Sequence, residues 1–349
     1  MKFPEISPEE RVRRLMPRIG KVHMVLDTDT YNEVDDQFAL SYALCSPEKL
    51  CLDAVYAAPF SSAFFSKLIG NDNVGIPMTN VLQEGLELSY QEILKIYRML
   101  GMSSEGKVFR GSGSYMTEPG KPVESDAAHD LVKRAMAAED LLYVVSIGEI
   151  TNIASAILME PRIIDKIVIV WLGGQPLYWP QTIEFNIGQD ILASQTILDS
   201  GVPLVLVPCM TVASQLTTTA AELNEKLNGK SEIGTYLSKI VISQLNEESA
   251  NGMLSLLRKT YLRDVQDYDQ LITEGTPISR MACSRIIWDI STIGYMINPN
   301  WCPSTLVSTP WLTQDLTWKL TPERHLMRLC HFIYRDGVFG DMFDKLSKA

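Results

Sequence analysis

Apolar positions in this chain fall into two kinds of run. The first kind is short and nearly continuous: Val22-His23-Met24-Val25-Leu26, Leu50 to Ala58, Leu141 to Ile147, Ile167 to Leu172, and Pro203 to Pro208. Such runs, bounded by Gly, Pro or polar clusters, are what strands look like when both faces are buried, as in parallel sheets. The second kind repeats with helical spacing: residues 37–46, Ser89 to Leu100 (Ile93, Leu94, Ile96, Tyr97, Leu100, stopped by Gly101), Asp126 to Ala138, Gly148 to about Met159, much of Thr217 to Arg263, and the segment after Asp289 that closes at Asn298-Pro299. Strand and helix alternate, which predicts an α/β fold: a mostly parallel open sheet flanked by helices, with right-handed crossovers. Ligands of such sheets sit just beyond the carboxyl ends of the strands.

Between these runs, residues 61–86 read as mixed and loop-rich. Residues 102–125, rich in Gly, Ser and Pro, read as a long connection of the kind that often covers a site. Tyr261 to Gln270 is polar and reads as a flap near the ligand. Residues 1–21 form a leader in which Ser7-Pro8-Glu9-Glu10 opens a short basic helix. Residues 22–349 then make one α/β domain with a helical C-terminal part.

Composition narrows the function classes. The net charge of −11 offers no basic face for nucleic acid and is repelled by an anionic membrane. The six cysteines form no C-x-x-C pair, and most lie in or beside apolar runs, so reduced, buried thiols are expected. The first residues lack a signal-peptide apolar segment, and no apolar run reaches membrane-spanning length. A soluble, cytoplasmic protein is the expectation.

The chemistry concentrates where the first strand ends. Asp27, Asp29, Asp35 and Asp36 fall within ten residues, immediately before an apolar helix. Like charges this close repel unless something positive lies among them, and a hard divalent cation held by oxygen ligands meets that need. A solvated loop with Asp35 or Asp36 capping the next helix is the plain alternative. An EF-hand loop starting at Asp27 fails, because Asn32 and Phe38 stand where Gly and Glu are required. A haloacid-dehalogenase-type phosphohydrolase, with Asp27 as nucleophile and Asp29 as acid/base, also opens with a strand and Asp-x-Asp, but has Thr or Val where this chain has Tyr31.

The stretch resembles the opening of the inosine-uridine-preferring nucleoside hydrolase family, Asp-x-Asp-x-x-x-Asp-Asp, with two extra residues before Asp35-Asp36. Three further pieces come in order along the chain. Gly148-Glu149-Ile150-Thr151-Asn152-Ile153-Ala154 resembles the family's Gly-x-Leu-Thr-Asn-Ile-Ala element, and Glu184-Phe185-Asn186 its Glu-Phe-Asn signature. Trp288-Asp289 falls where many members have His-Asp, and the purine-preferring branch has Trp before this Asp. The resemblance implies a Rossmann-like nucleoside hydrolase fold and Ca2+ held by Asp29, Asp36, Asp289 and the backbone carbonyl of Ile147. It implies ribose hydroxyls gripped by Asp35, Glu184 and Asn186, with Tyr178 where an Asn usually meets the 5′-hydroxyl. Asp29 would double as general base, and Trp288 would stack on the departing purine or pyrimidine. The family's Gly-Asn after the second strand is replaced by Ala57-Ala58-Pro59-Phe60.

The activity implied by the resemblance is calcium-dependent hydrolysis of the N-glycosidic bond of a ribonucleoside or related ribosyl compound, by a homo-oligomer, dimer or tetramer. The alternative is a pseudoenzyme that binds calcium and a ribosyl ligand without cleaving it. His23, His129, His325 and His331 fall at no family position and read as structural or surface residues.

Overall fold

The computed structural model describes residues 3–61, 81–245 and 284–349. Eight strands form the central sheet: β1 (Val22–Thr28), β2 (Leu50–Ala57), β3 (Val108–Arg110), β4 (Leu142–Ser146), β5 (Ile167–Leu172), β6 (Leu204–Val207), β9 (Ser304–Ser308) and β12 (Leu326–Cys330), in the order β3-β2-β1-β4-β5-β6-β12-β9. All neighbours are parallel except β9, which runs antiparallel to β12. Two small ribbons complete the strands: β7 (Thr217–Thr219) with β8 (Ser284–Ile286), and β10 (Trp311–Leu312) with β11 (Trp318–Lys319).

The described helices are α1 (Pro8–Leu15), α2 (Asp36–Leu44), α3 (Leu82–Met99), α4 (Asp126–Ala137), α5 (Thr151–Met159), α6 (Phe185–Gln189), α7 (Ile191–Ser200), α8 (Ala220–Lys226), α9 (Glu232–Gln244), α10 (Ile290–Ile297) and α11 (Arg335–Leu346). α1 is tied down through Arg11, whose guanidinium donates to the Gly201 carbonyl at 2.7 Å, and through Arg328 of β12, which donates to the Leu15 carbonyl.

Continuous apolar strands make sense because the sheet is covered on both faces. On β5, Val168, Val170 and Leu172 join a core with α2, α3, α10 and α11, while Ile167, Ile169 and Trp171 join a second core with α4, α5 and α7. Each buried aliphatic side chain contributes about 1.5–3 kcal/mol, so the faces hold the helices firmly in place.

The sheet order reverses between β1 and β4: the chain builds outward from β1 through β2 to β3, then returns to the middle and builds the other way. At such a switch point the loops after the two central strands part in opposite directions and leave a crevice. The loop after β1 carries the aspartates; the loop after β4 begins with Ile147.

The C-terminal part differs from the expectation of helices. Residues 304–330 supply four short strands, two of which extend the main sheet, and only α11 is α-helical beyond residue 303. β3 likewise lies inside the 102–125 segment read as pure connection. The polar flap at Tyr261–Gln270, most of the 61–86 loop and the end of the Thr217–Arg263 segment lie outside the described residues. Among the described residues, no helix is long and apolar enough to cross a membrane. The five described cysteines are free; Cys302 and Cys330 are buried, whereas Cys45, Cys51 and Cys209 are only partly so.

Candidate metal and ribosyl site

β1 runs apolar until Asp27, then the backbone turns, with the Asn32 amide donating to the Asp29 carbonyl at 2.8 Å, and enters α2 at Asp36. Asp35 occupies the N-cap position but makes no side-chain cap hydrogen bond; Asp289 does the same at the start of α10. Two carboxylates that could have capped helices therefore serve no cap. They converge: the carboxylate oxygens of Asp35, Asp36 and Asp289 lie within 4.8 Å of one another, all buried. The positive ends of two helices meet there too, which favours negative charge.

Asp36 is fixed by Thr28, whose hydroxyl donates to its Oδ1 at 2.6 Å. Asp29 is 1% exposed, and its Oδ2 has no hydrogen-bond partner among the described residues. It lies against the loop after β4: a Cβ added to Gly148 would stand 2.9 Å from Asp29 Oδ1, so the loop and the carboxylate could not share that space with any larger residue.

Four buried carboxylates crowd one crevice, and their proton affinities record it. Burial, then the charge of Asp36, raises Asp29; burial, then Glu33, raises Asp35; burial, then Asp35, raises Asp289. Burial also pushes Asp36 up to about 6, against the Thr28 hydrogen bond. Among the described residues a nearby counter-charge is Arg285 of β8, which is paired with Glu33, one of the candidate inserted residues. That ion pair joins the aspartate loop to the strand leading into Trp288 and Asp289. A cluster of carboxylates, with an Asp29 oxygen unpartnered among the described residues, fits a hard divalent cation.

The carbonyl of Ile147 accepts a hydrogen bond from Asn186 Nδ2 at 3.0 Å, and the same amide nitrogen donates to the Leu172 carbonyl at 2.9 Å. A carbonyl has two lone pairs, so this contact leaves one free. Glu184 is the N-cap of α6: its Oε1 accepts from the Asn186 amide at 3.0 Å, and its Oε2 from the amides of Ile187 at 3.0 Å and Gly174 at 2.8 Å. Glu184 therefore braces the turn after β5, where Gly174 takes a positive φ of +67°. Whatever else it does, Glu184 is a helix cap.

Trp288 is partly buried, packed against the core beside Asp289. Tyr178 is not part of the convergence; it stands 76% exposed on the loop between β5 and α6. Asp27 is fully buried with Oδ1 accepting from Asn152 Nδ2 at 3.1 Å, and burial raises its carboxyl to about 8. Asp27 is tied to Asn152 and is not one of the carboxylates that cluster as Asp35, Asp36 and Asp289, which leaves the phosphohydrolase reading without support.

Sequence reasoning missed a second set of polar groups near Asp29. Glu149 is fully buried; its Oε2 accepts from the Thr151 amide at 2.7 Å and from the Thr151 hydroxyl, while Oε1 has no partner among the described residues. The Thr151 hydroxyl also reaches Asp190 Oδ2 at 2.5 Å. Gln189 accepts from the Tyr115 hydroxyl at 2.6 Å and from the Ser61 amide at 3.0 Å. The signal in the sequence is an acidic residue, Glu149, directly after a buried apolar strand.

A family model described as inosine-uridine preferring nucleoside hydrolase matches residues 77–324. A curated plant protein, "Probable uridine nucleosidase 2" of Arabidopsis thaliana, is 25% identical over 224 residues, 62% of this chain and 68% of that one. A pyrimidine-specific ribonucleoside hydrolase of Escherichia coli is 27% identical over 173 residues, covering 49% of this chain; the matched part spans about half of that protein, 46%. Among solved structures, a plant nucleoside hydrolase superposes with a TM-score of 0.64 at 18% identity, covering 94% of this chain and 99% of that one, a likeness of fold.

Proposed function

The chain belongs to the inosine-uridine preferring nucleoside hydrolase family and is a nucleoside N-ribohydrolase, and from that premise we propose that it hydrolyses ribonucleosides with Ca2+ held by Asp36, Asp289, Asp29 and the Ile147 carbonyl. The observation that carries the reading is the meeting of Asp35, Asp36 and Asp289, from two separate helix starts, at the switch point of the sheet. When bound, such a cation lowers the pKa of an adjacent water and neutralises the crowded carboxylates.

The protein's own groups supply the rest. Asp29 takes the proton of the attacking water at its unpartnered Oδ2, and the water oxygen forms the new bond to C1′. As the bond from C1′ to the base nitrogen breaks, the sugar ring gains positive charge; Asp35 and Glu184 stabilise it and accept hydrogen bonds from the 2′- and 3′-hydroxyls. Asn186 contributes chiefly by aiming the Ile147 carbonyl. Trp288 stacks on the departing base, whose electron pair takes a proton from solvent. The two curated relatives carry uridine and pyrimidine in their names, so pyrimidine ribosides join purine ones as candidate substrates. A cytoplasmic homo-oligomer belongs to the same proposal. The hydrolase names of the relatives weigh against a binding-only protein.

The test is chromatographic base release from purine and pyrimidine ribosides, with calcium and with a chelator. Calcium-dependent release is expected, with 2′-deoxyribosides roughly a thousandfold or more slower because unpaired site groups reject the missing hydroxyl. Release unaffected by the chelator, or equal rates for ribosides and deoxyribosides, would overturn the reading.

A further inference from the structure

The opposite end of the sheet carries a second convergence of ligating side chains. His23 of β1 and Cys51 of β2 stand side by side in register. The register slips between Met24 and Val25, so that Leu52 pairs with Met24, Ala54 with Val25, and Asp53 is the extra residue of β2. An extra residue of this kind bends its strand and re-aims its side chain. Here the Asp53 carboxylate bridges the other two: Oδ2 lies 2.9 Å from His23 Nδ1, and Oδ1 accepts from Cys51 Sγ at 3.2 Å. One nitrogen, one sulfur and one oxygen donor all lie within 4.8 Å of one another.

The donor set points away from calcium. Hard cations take oxygen ligands, whereas imidazole and thiolate select zinc and its borderline neighbours. Tetrahedral bonds of about 2.0–2.3 Å to N, O and S place ligand atoms about 3.4 Å apart, so small side-chain rotations from the present contacts would suffice. The His23 side chain is 66% exposed and that of Asp53 23%, which leaves the fourth position open to water. Burial and the Asp53 hydrogen bond hold the Cys51 thiol above its ordinary value, while Lys21 and Lys107 act in the opposite sense. A bound metal displaces the thiol proton. The run of β1 from His23 through Thr28, with the step to Asp29, puts this cluster roughly 20 Å from the aspartate crevice at strand rise.

We propose that His23, Cys51 and Asp53 form a three-ligand site for a zinc-class transition-metal ion, separate from the carboxylate centre. The probe is Co2+ added to the metal-free, full-length protein, read by the thiolate-to-cobalt charge-transfer band. The carboxylates of Asp35, Asp36 and Asp289 offer only oxygen, so cobalt bound to them gives no such band, and Cys51→Ser separates this cluster from any other thiol. The expected result is one band-forming Co2+ per chain, lost on adding stoichiometric Zn2+ and absent in Cys51→Ser and His23→Ala. Circular dichroism and thermal melts check that both variants fold. No thiolate band in the wild type, or a band of equal size in Cys51→Ser, would overturn the proposal.

Discussion

Asn186 Nδ2 donates to the Ile147 carbonyl at 3.0 Å and to the Leu172 carbonyl at 2.9 Å, tying the ends of β4 and β5 together beside the aspartate crevice. Both acceptors are main-chain oxygens of buried residues. Removing the amide leaves them unpaired at a cost of about 1–3 kcal/mol. Asn186→Ala is expected to lose that much stability in denaturant unfolding and to bind Ca2+ more weakly, because the Ile147 carbonyl is no longer aimed. An unchanged calcium affinity in a destabilised Asn186→Ala would mean that the carbonyl is not a ligand.

Stability should fall as pH rises when no cation is present. A carboxyl whose folded pKa lies above its unfolded one, about 3.9, holds its proton more tightly in the folded chain. That contribution is complete below pH ~4 and is lost as pH climbs through about 6 for Asp36 and about 8 for Asp27. Each such group changes stability by up to about 1.4 kcal/mol per pH unit within its window. Denaturant unfolding between pH ~5 and ~8 in chelator should therefore decline with pH. Added Ca2+ should flatten the decline, since it stabilises the ionised aspartates. Identical profiles with Ca2+ and with chelator would contradict a cation among these carboxylates.

Trp288 is half-buried next to Asp289. If its ring face receives the base, Trp288→Phe keeps a stacking surface and Trp288→Ala does not. Base–aromatic stacking is worth about 1–3 kcal/mol, so Trp288→Ala is expected to lose roughly tenfold to a hundredfold in kcat/KM, and Trp288→Phe distinctly less. Equal rates for the wild type and both variants would make Trp288 a packing residue only.

The parts of this fold that read directly from the sequence are those with a period. Ile167 to Leu172 is a strand in the structure at the bounds its apolar run indicates, because both of its faces are buried and every position must be apolar. β9, Ser304–Ser308, sits at the edge of the sheet with mostly half-buried positions, and its Ser and Thr residues hide it. α3 begins at Leu82, before the apolar stripe that starts at Ser89, because Gly85, which lies against the Phe60 backbone, interrupts the helical pattern of its first turns.

In the site, the aspartates of the first loop were legible by their density, but their division of labour was not. Asp35, assigned to the ribose by resemblance, shares the cluster of Asp36 and Asp289, a grouping that depends on a helix start far downstream in the chain. The ion pair of Glu33 with Arg285 and the contact of Thr151 with Asp190 are likewise pairings across the fold that no local pattern encodes.

The most direct test of the proposed calcium centre is calorimetry on the wild type and on Asp36→Asn and Asp289→Asn. These substitutions keep side-chain size while removing one negative charge each. One Ca2+ per wild-type chain and no measurable binding in either variant is the predicted result, with both variants folded by circular dichroism. Stoichiometric binding retained by both variants, or none by the wild type, would contradict the assignment of the aspartates as its ligands.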